Sequence, residues 1–347
     1  MTPISEVMEF ALEELVMRLA KSDEKREDVI KQLKNHRAGK AGEERVMDVV
    51  RSVRLPEECE VLVDLNLPLA SGWKFQIDIM IVMPSGLLVL ESKQIGGRLR
   101  FSSWPATLNK LDDEGRITLT MDCPVAQLED QKGNLTQLLD RQGLLVPING
   151  AVVFANHPII EQIPPNVPVI KLRELRRMLR YWLSQERTTS AGQIQEIARF
   201  LRGLHKPYLA FPLRQRFNMT SESIYLKPMC KTCEVPLDKP SERTWICPKC
   251  RKPDPEANIR TLLIYFLLGH CTITVNQCME LLSIKSRTYA RSLIGLFAVR
   301  KIGKGRATVY ELDYERQFFQ EAWKIGVFLG KGQNKVLEMT SKNDVAP

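Results

Sequence analysis

The chain lacks any long apolar run. The longest candidate, residues 262–268, falls far short of the roughly 20 residues that a membrane-crossing helix needs. The first residues lack a basic start ahead of an apolar stretch; Glu6, Glu9, Glu13 and Glu14 stand among Val7, Phe10 and Leu12 instead. No secretory leader and no membrane partner are therefore expected, and the expected compartment is the cytoplasm. Histidine is scarce. His36, His157, His205 and His270 share no paired spacing, which leaves histidine-based catalysis with little support. No long internal repeat is present. With 44% hydrophobic and 26% charged residues, wholesale disorder is excluded, and 347 residues suffice for two to three domains.

Acidic residues are missing from 281–310, where seven basic residues occur. Over the whole chain, 50 Lys and Arg face 41 Asp and Glu, a net charge of +9. This balance suggests a polyanion as partner. Of eight cysteines, four are clustered as Cys230-x-x-Cys233 and Cys247-x-x-Cys250. In a cytoplasmic chain such pairs read as metal ligands rather than disulfides.

Periodicity divides the chain. Helical spacing predicts helices over 5–20 and 24–36, an N-terminal extension (1–37) packed on the adjoining domain. Residues 38–205 read as an α/β domain. Its expected order is a helix over 40–53, strands near 60–66, 74–83 and 87–95, short strands at Phe101 and 117–121, and a helix over 124–141. Buried strands at 151–155 and 167–170 and helices over 172–184 and 189–204 complete a mixed sheet flanked by helices. Residues 206–227 read as a linker, 228–252 as the cysteine module, and 253–330 as a mostly helical domain. That last domain is given helices over 256–269, 274–282, 286–298 and 314–329, with a hairpin at Gly303-Lys304-Gly305; 331–347 reads as a flexible tail.

The strands over 74–83 and 87–95 form a hairpin around Pro84-Ser85-Gly86. Asp78 sits inside the apolar run Ile77-Asp78-Ile79, where an unpaired carboxylate is costly. Glu91 and Lys93, two apart on the next strand, share a face. If the loop has an even number of residues, Asp78 shares that face as well. Two carboxylates and an ammonium would then converge. Carboxylates so close favour a divalent cation between them, and hard oxygen ligands suit Mg²⁺ or Mn²⁺. The ammonium can orient or help deprotonate a water and offset charge on a phosphorane-like transition state. The bland alternative is a surface hairpin with a salt bridge.

Further residues extend the pattern: Gly39-x-x-Gly42-Glu43, Gln76-Ile77-Asp78, Leu90-Glu91-Ser92-Lys93 with Gly96-Gly97, Trp104, Pro124-Val125-x-Gln127, and Val152-Val153-Phe154. Their order and spacing resemble the nuclease-related domain, NERD, a branch of the PD-(D/E)XK nuclease superfamily, over some 135 residues from Gly39 to about Leu175. The resemblance implies a restriction-endonuclease-like α-β-β-β-α-β core. It also implies that Glu43 joins Asp78 and Glu91 at the metal, and that Gln127 contacts the site from the later helix. Cys123 departs from the family's usual Asn, and Ser92 stands where Thr or Val is common.

Two Cys-x-x-Cys knuckles complete a tetrahedral Zn²⁺ site with no open position, so Cys230, Cys233, Cys247 and Cys250 are expected to hold a structural zinc. The module resembles a zinc ribbon, a fold that binds nucleic acid, binds a protein partner or stiffens a junction. Residues 256–313 look like a winged helix-turn-helix domain. Lys285, Arg287 and Arg291 on or beside its third helix, and Lys301, Lys304 and Arg306 in its wing, are the expected nucleic-acid contacts. The alternative there is a helical protein-docking module. The combined expectation is a metal-dependent DNA nuclease with its own targeting modules. Its rival is a non-catalytic DNA-binding regulator or adaptor that keeps the nuclease fold as a scaffold.

Overall fold

The computed structural model describes residues 3–312 except 70, 166, 207–210, 221–222, 243, 298–299 and 306–307. The expected helix over 314–329, the tail and Arg306 lie outside the described residues. Helix α1 (Pro3–Arg18) is followed by α2 (Glu24–Ser52). The two helices expected over 24–36 and 40–53 are thus one 29-residue helix. Gly39 and Gly42 do not break it. A Cβ at Gly42 would lie 2.9 Å from Gln94 Cβ, so this glycine serves close approach rather than termination.

Two units form. One runs over 37–208, and the other joins residues up to His36 with those from 209 onward. In the first, β1 (Glu60–Pro68), β2 (Lys74–Met83) and β3 (Gly86–Lys93) form an antiparallel meander. Strands β4 (Arg98–Ser103), β5 (Ala106–Leu111) and β6 (Ile117–Asp122) then make a second sheet before α3 (Pro124–Asp140). Next come β7 (Ile148–Phe154), β8 (Ile159–Gln162), β9 (Val169–Lys171), α4 (Leu172–Leu183) and α5 (Ala191–Leu204). The main sheet runs β1-β2-β3-β7-β9, with β7 parallel to both β3 and β9. The smaller sheet runs β6-β5-β4-β8.

Alternation along β3 explains the layering. Leu87 and Val89 join a core that includes Leu128 and Leu135 of α3 and Ile194 of α5. Leu88 and Leu90 join another, with Val46 and Val50 of α2 and Leu175 and Leu179 of α4. Glu91 and Lys93 continue the parity of Leu87 and Val89, toward α3.

The second unit corrects the expected N-terminal extension. Val7, Ala11, Leu12 and Leu15 of α1 share one core with Leu262, Leu263 and Phe266 of α7 (Ala257–Leu267), which follows the four-residue α6 (Leu213–Arg216). The helix is therefore part of the module that contains the cysteines, not an appendage of the α/β domain. The expected linker is also more than a spacer, since Leu213, Met219 and Ile224 are buried in the same core. Beneath it lies a buried ion network. Glu14 pairs with Arg18 at 2.7 Å and with Arg260, and Arg260 also reaches Asp254 at 2.5 Å and the Met229 carbonyl at 2.8 Å.

After α7 come β10 (Thr272–Thr274), α8 (Val275–Leu281), α9 (Arg287–Gly295), β11 (Arg300–Ile302) and β12 (Val309–Glu311). Thr274 caps α8 and Ser286 caps α9 through their hydroxyls. The three short strands pair in the order β10-β12-β11.

Candidate active site

The hairpin loop is two residues, Pro84 and Ser85, closed by the Met83–Gly86 pair. The even count meets the register condition, because Ile79 pairs with Leu90 and Asp78 therefore lies opposite Glu91. The ladder stops at Ile79. Beyond it the Asp78 carboxylate accepts the Ser92 N–H at 3.0 Å, in place of a main-chain partner on β2. β3 meanwhile continues alongside β7 through Lys93–Phe154. The two strands part at this point, and the acidic residues sit where they part.

Glu91 is 1% exposed. Lys93 Nζ donates to Glu91 Oε1 at 2.5 Å and to Gln127 Oε1 at 3.1 Å. Lys93 thus stands within hydrogen-bond reach of two other expected residues, Glu91 and Gln127. Burial, followed by the charges of Glu91 and Glu43, holds Asp78 well above the usual carboxylate range. The Ser92 N–H and Lys93 oppose that rise. Glu43, on α2, is pushed up to about 7 by burial first and then by Asp64 and Glu91.

The carboxylates have not collapsed onto a common point. Among the described residues, only the four cysteines bring three or more potential ligand atoms within 4.8 Å of one another. The oxygen donor set nonetheless fits a hard divalent cation: buried acids raise one another's proton affinity where positive charge is short.

Two residues missed in the sequence belong here. Gln131, one turn beyond Gln127 on α3, donates through Nε2 to Glu91 Oε2 at 2.7 Å and to the Gln76 carbonyl at 2.9 Å. The signal for it was the four-residue spacing from Gln127. Asp64 holds a φ of +52° on β1 and falls opposite Asp78 by the β1–β2 register, which pairs Val63 with Ile79 and Leu65 with Ile77. It accepts from Gln76 Nε2 at 2.9 Å. No local pattern marks Asp64; only the register does.

Residues 38–155 match the family model for the nuclease-related domain, NERD. That span contains α2 from Ala38 onward, the meander, Gln127 and Gln131. No curated protein and no solved structure matches the chain. The nuclease-related domain thus carries all the side chains gathered at the parted strands. Trp104, part of the resemblance, stands 95% exposed at the β4–β5 turn, and its side chain makes no part of this cluster.

The cysteine cluster is a second candidate centre. Cys230 Sγ and Cys250 Sγ are 3.9 Å apart. Thiolates around a tetrahedral zinc at Zn–S of about 2.3 Å would be separated by about 3.8 Å. After each pair a non-glycine residue turns left-handed, Glu234 at φ +52° and Arg251 at φ +59°. Their N–H groups return to the carbonyls of Cys230 and Cys247. The Cys250 N–H also points at Cys247 Sγ, which helps lower that thiol to about 7, while burial pushes Cys233 up to about 12. Thiolates directed inward at this spacing suit a four-coordinate metal with no open position.

This module is fastened to the helical elements beside it. Lys239 Nζ donates to the Leu282 carbonyl at 2.6 Å, and Glu242 accepts from the Lys285 N–H at 2.8 Å. Trp245 Nε1 donates to Asn258 Oδ1 at 2.7 Å, and Asn258 in turn reaches the Tyr289 hydroxyl at 3.2 Å. The expected contact residues Lys285, Arg287, Arg291, Lys301 and Lys304 are all exposed. Arg287 donates to Asn276 Oδ1 at 2.9 Å. Among the described residues, no helix is long and apolar enough to cross a membrane.

Proposed function

We propose that the protein is a divalent-metal-dependent nuclease that hydrolyses phosphodiester bonds in DNA. The observation that carries this reading is Lys93 held between Glu91 and Gln127 beside Asp78, at the point where β2 and β3 part. Asp78 and Glu91, assisted by Glu43, would hold Mg²⁺ or Mn²⁺, which would supply Lewis-acid polarisation of the scissile phosphate. Gln127 fixes the Lys93 ammonium. From there Lys93 donates a hydrogen bond to the attacking water and offsets the charge that grows on the phosphate oxygens. Burial of Glu91 excludes bulk water and strengthens these interactions.

The targeting modules belong to the same proposal. The order helix-strand-helix-helix-strand-strand, with a β10-β12-β11 sheet, supports a winged-helix reading, with α9 entering a groove and the β11–β12 turn on the backbone. The four cysteines hold a structural Zn²⁺ in a zinc ribbon. Phosphate contacts from Lys285, Arg287, Arg291, Lys301, Lys304 and Arg306 position the substrate.

A second reading has one observation in its favour. Both Glu91 oxygens already have protein donors, Lys93 and Gln131, so the set is partly self-neutralised without a metal. That suits a DNA-binding regulator on a nuclease scaffold. Labelled DNA and RNA substrates incubated with Mg²⁺, Mn²⁺ or EDTA separate the two. The nuclease reading expects metal-dependent cutting of DNA that Asp78→Ala and Lys93→Ala abolish while DNA binding survives. Binding without cutting under every metal would leave the regulator.

A further inference from the structure

Gln131 is 3% exposed, and its Oε1 is buried without a hydrogen-bond partner. Its orientation is nevertheless fixed. Both groups facing the other end of the amide, Glu91 Oε2 and the Gln76 carbonyl, are acceptors, so a flipped amide would set oxygen against two oxygens. Leaving Oε1 unsatisfied is the lesser cost. One NH₂ group thereby ties β3 to β2 across the stretch where their ladder has ended. Gln76 lies two residues before Asp78, and Glu91 lies opposite it, so the bridge spans the Asp78–Glu91 pair.

The same contact divides the labour of Glu91. Oε2 is committed to Gln131, in the interior. Oε1 faces Lys93. We propose that Gln131 is a positioning residue that locks the Glu91 carboxylate so that a single oxygen, Oε1, is offered to a divalent cation. Lys93 and the cation then address the same oxygen, and the distance from that oxygen to Asp78 is set by the Gln131 bridge. Gln127 and Gln131 thus act one turn apart on α3, one on the ammonium and one on the carboxylate. The inference rests on the reading of Asp78 and Glu91 as metal ligands.

The test measures Mn²⁺ binding to the full chain by calorimetry and by the electron paramagnetic resonance of free Mn²⁺, alongside cleavage kinetics. Gln131→Met removes the donor at similar length. Gln131→Asn keeps the amide but shortens its reach, and serves if the Met variant does not fold. Groups that orient metal ligands typically cost 10–100-fold in affinity when lost. Gln131→Met is therefore expected to weaken Mn²⁺ at least 10-fold, and to lower kcat at fixed metal with an unchanged KM for DNA. Gln131→Asn is expected to fall between the Met variant and wild type. A folded variant that binds Mn²⁺ within twofold of wild type would overturn the proposal. Wild-type protein that binds Mn²⁺ but cuts nothing would overturn the nuclease reading alone, and the Mn²⁺ affinities would still judge Gln131. Wild-type protein that binds no Mn²⁺ would overturn both.

Discussion

Replacing Glu43 by Gln isolates the electrostatics of the site without any substrate. Glu43 is raised from an ordinary 4.5 to about 7, by burial first and then by Asp64 and Glu91. Below the unfolded value, both folded and unfolded chains carry the proton and no penalty arises. As pH rises from about 4.5 to about 7, the unfolded chain has released its proton while the folded one retains it, so stability falls; above that the penalty is complete. The full shift corresponds to about 3.4 kcal/mol at 1.36 kcal/mol per unit. Because Glu43 is only partly buried, solvent screening reduces this to about 1–1.5 kcal/mol. Glu43→Gln carries no such penalty. In metal-free buffer it should melt close to wild type near pH 5 and about 2–6 °C higher at pH 8.5, taking about 2–4 °C per kcal/mol for a unit of this size. If the carboxylates hold a divalent cation as proposed, saturating Mg²⁺ should close that gap from the wild-type side. Thermal melts across pH 5–8.5, with and without Mg²⁺, supply the measurement. A difference that is the same at every pH, or a Gln variant less stable at pH 8.5, would refute the reasoning.

Removing Arg260, which is 0% exposed, takes the ion-pair partner from Asp254 and one of two from the buried Glu14; Arg260→Ala should cost about 3–5 kcal/mol in a urea titration that follows the unit containing α1 and α7. Cys247→Ser should take the metal content from one zinc per chain to none by atomic absorption, and should lower the melting temperature of the same unit. Lys304→Ala should weaken DNA binding about equally for all sequences and reduce the slope of log K against log salt by about 1, while leaving zinc content unchanged.

Local pattern served well where the cause of structure is local. The β-formers of 74–83 coincide with β2, and the Asp78-to-Lys93 arrangement followed from counting residues across a two-residue turn. The break expected between residues 36 and 40 is absent, because α2 continues through Gly39 and Gly42, and at Gly42 the missing side chain admits Gln94. Strand β8, four residues beside prolines, is held by its parallel pairing with β4 and has no periodicity to betray it. The amphipathic pattern of α1 was legible, but its partner α7 lies more than 200 residues away, and no pattern within either helix names the other. Asp64 and Gln131 entered the site through register and helix phase, and both become visible only once the neighbouring element is placed.

The split unit sets an order of assembly during synthesis. Residues 37–208 form one compact unit that is contiguous in sequence, so its core can close once that stretch has emerged. Helix α1 must wait for α7. At roughly 5–20 residues per second, a stretch of about 240 residues takes on the order of 12–50 s to appear. Throughout that interval Val7, Ala11, Leu12 and Leu15 lack the α7 side of their core, and the buried Glu14 lacks Arg260. The nascent chain therefore carries a completed 37–208 unit together with an α1 face that still awaits α7. That face is where a holding chaperone would bind, and where a polar substitution would register as failure of the distant module that contains α7.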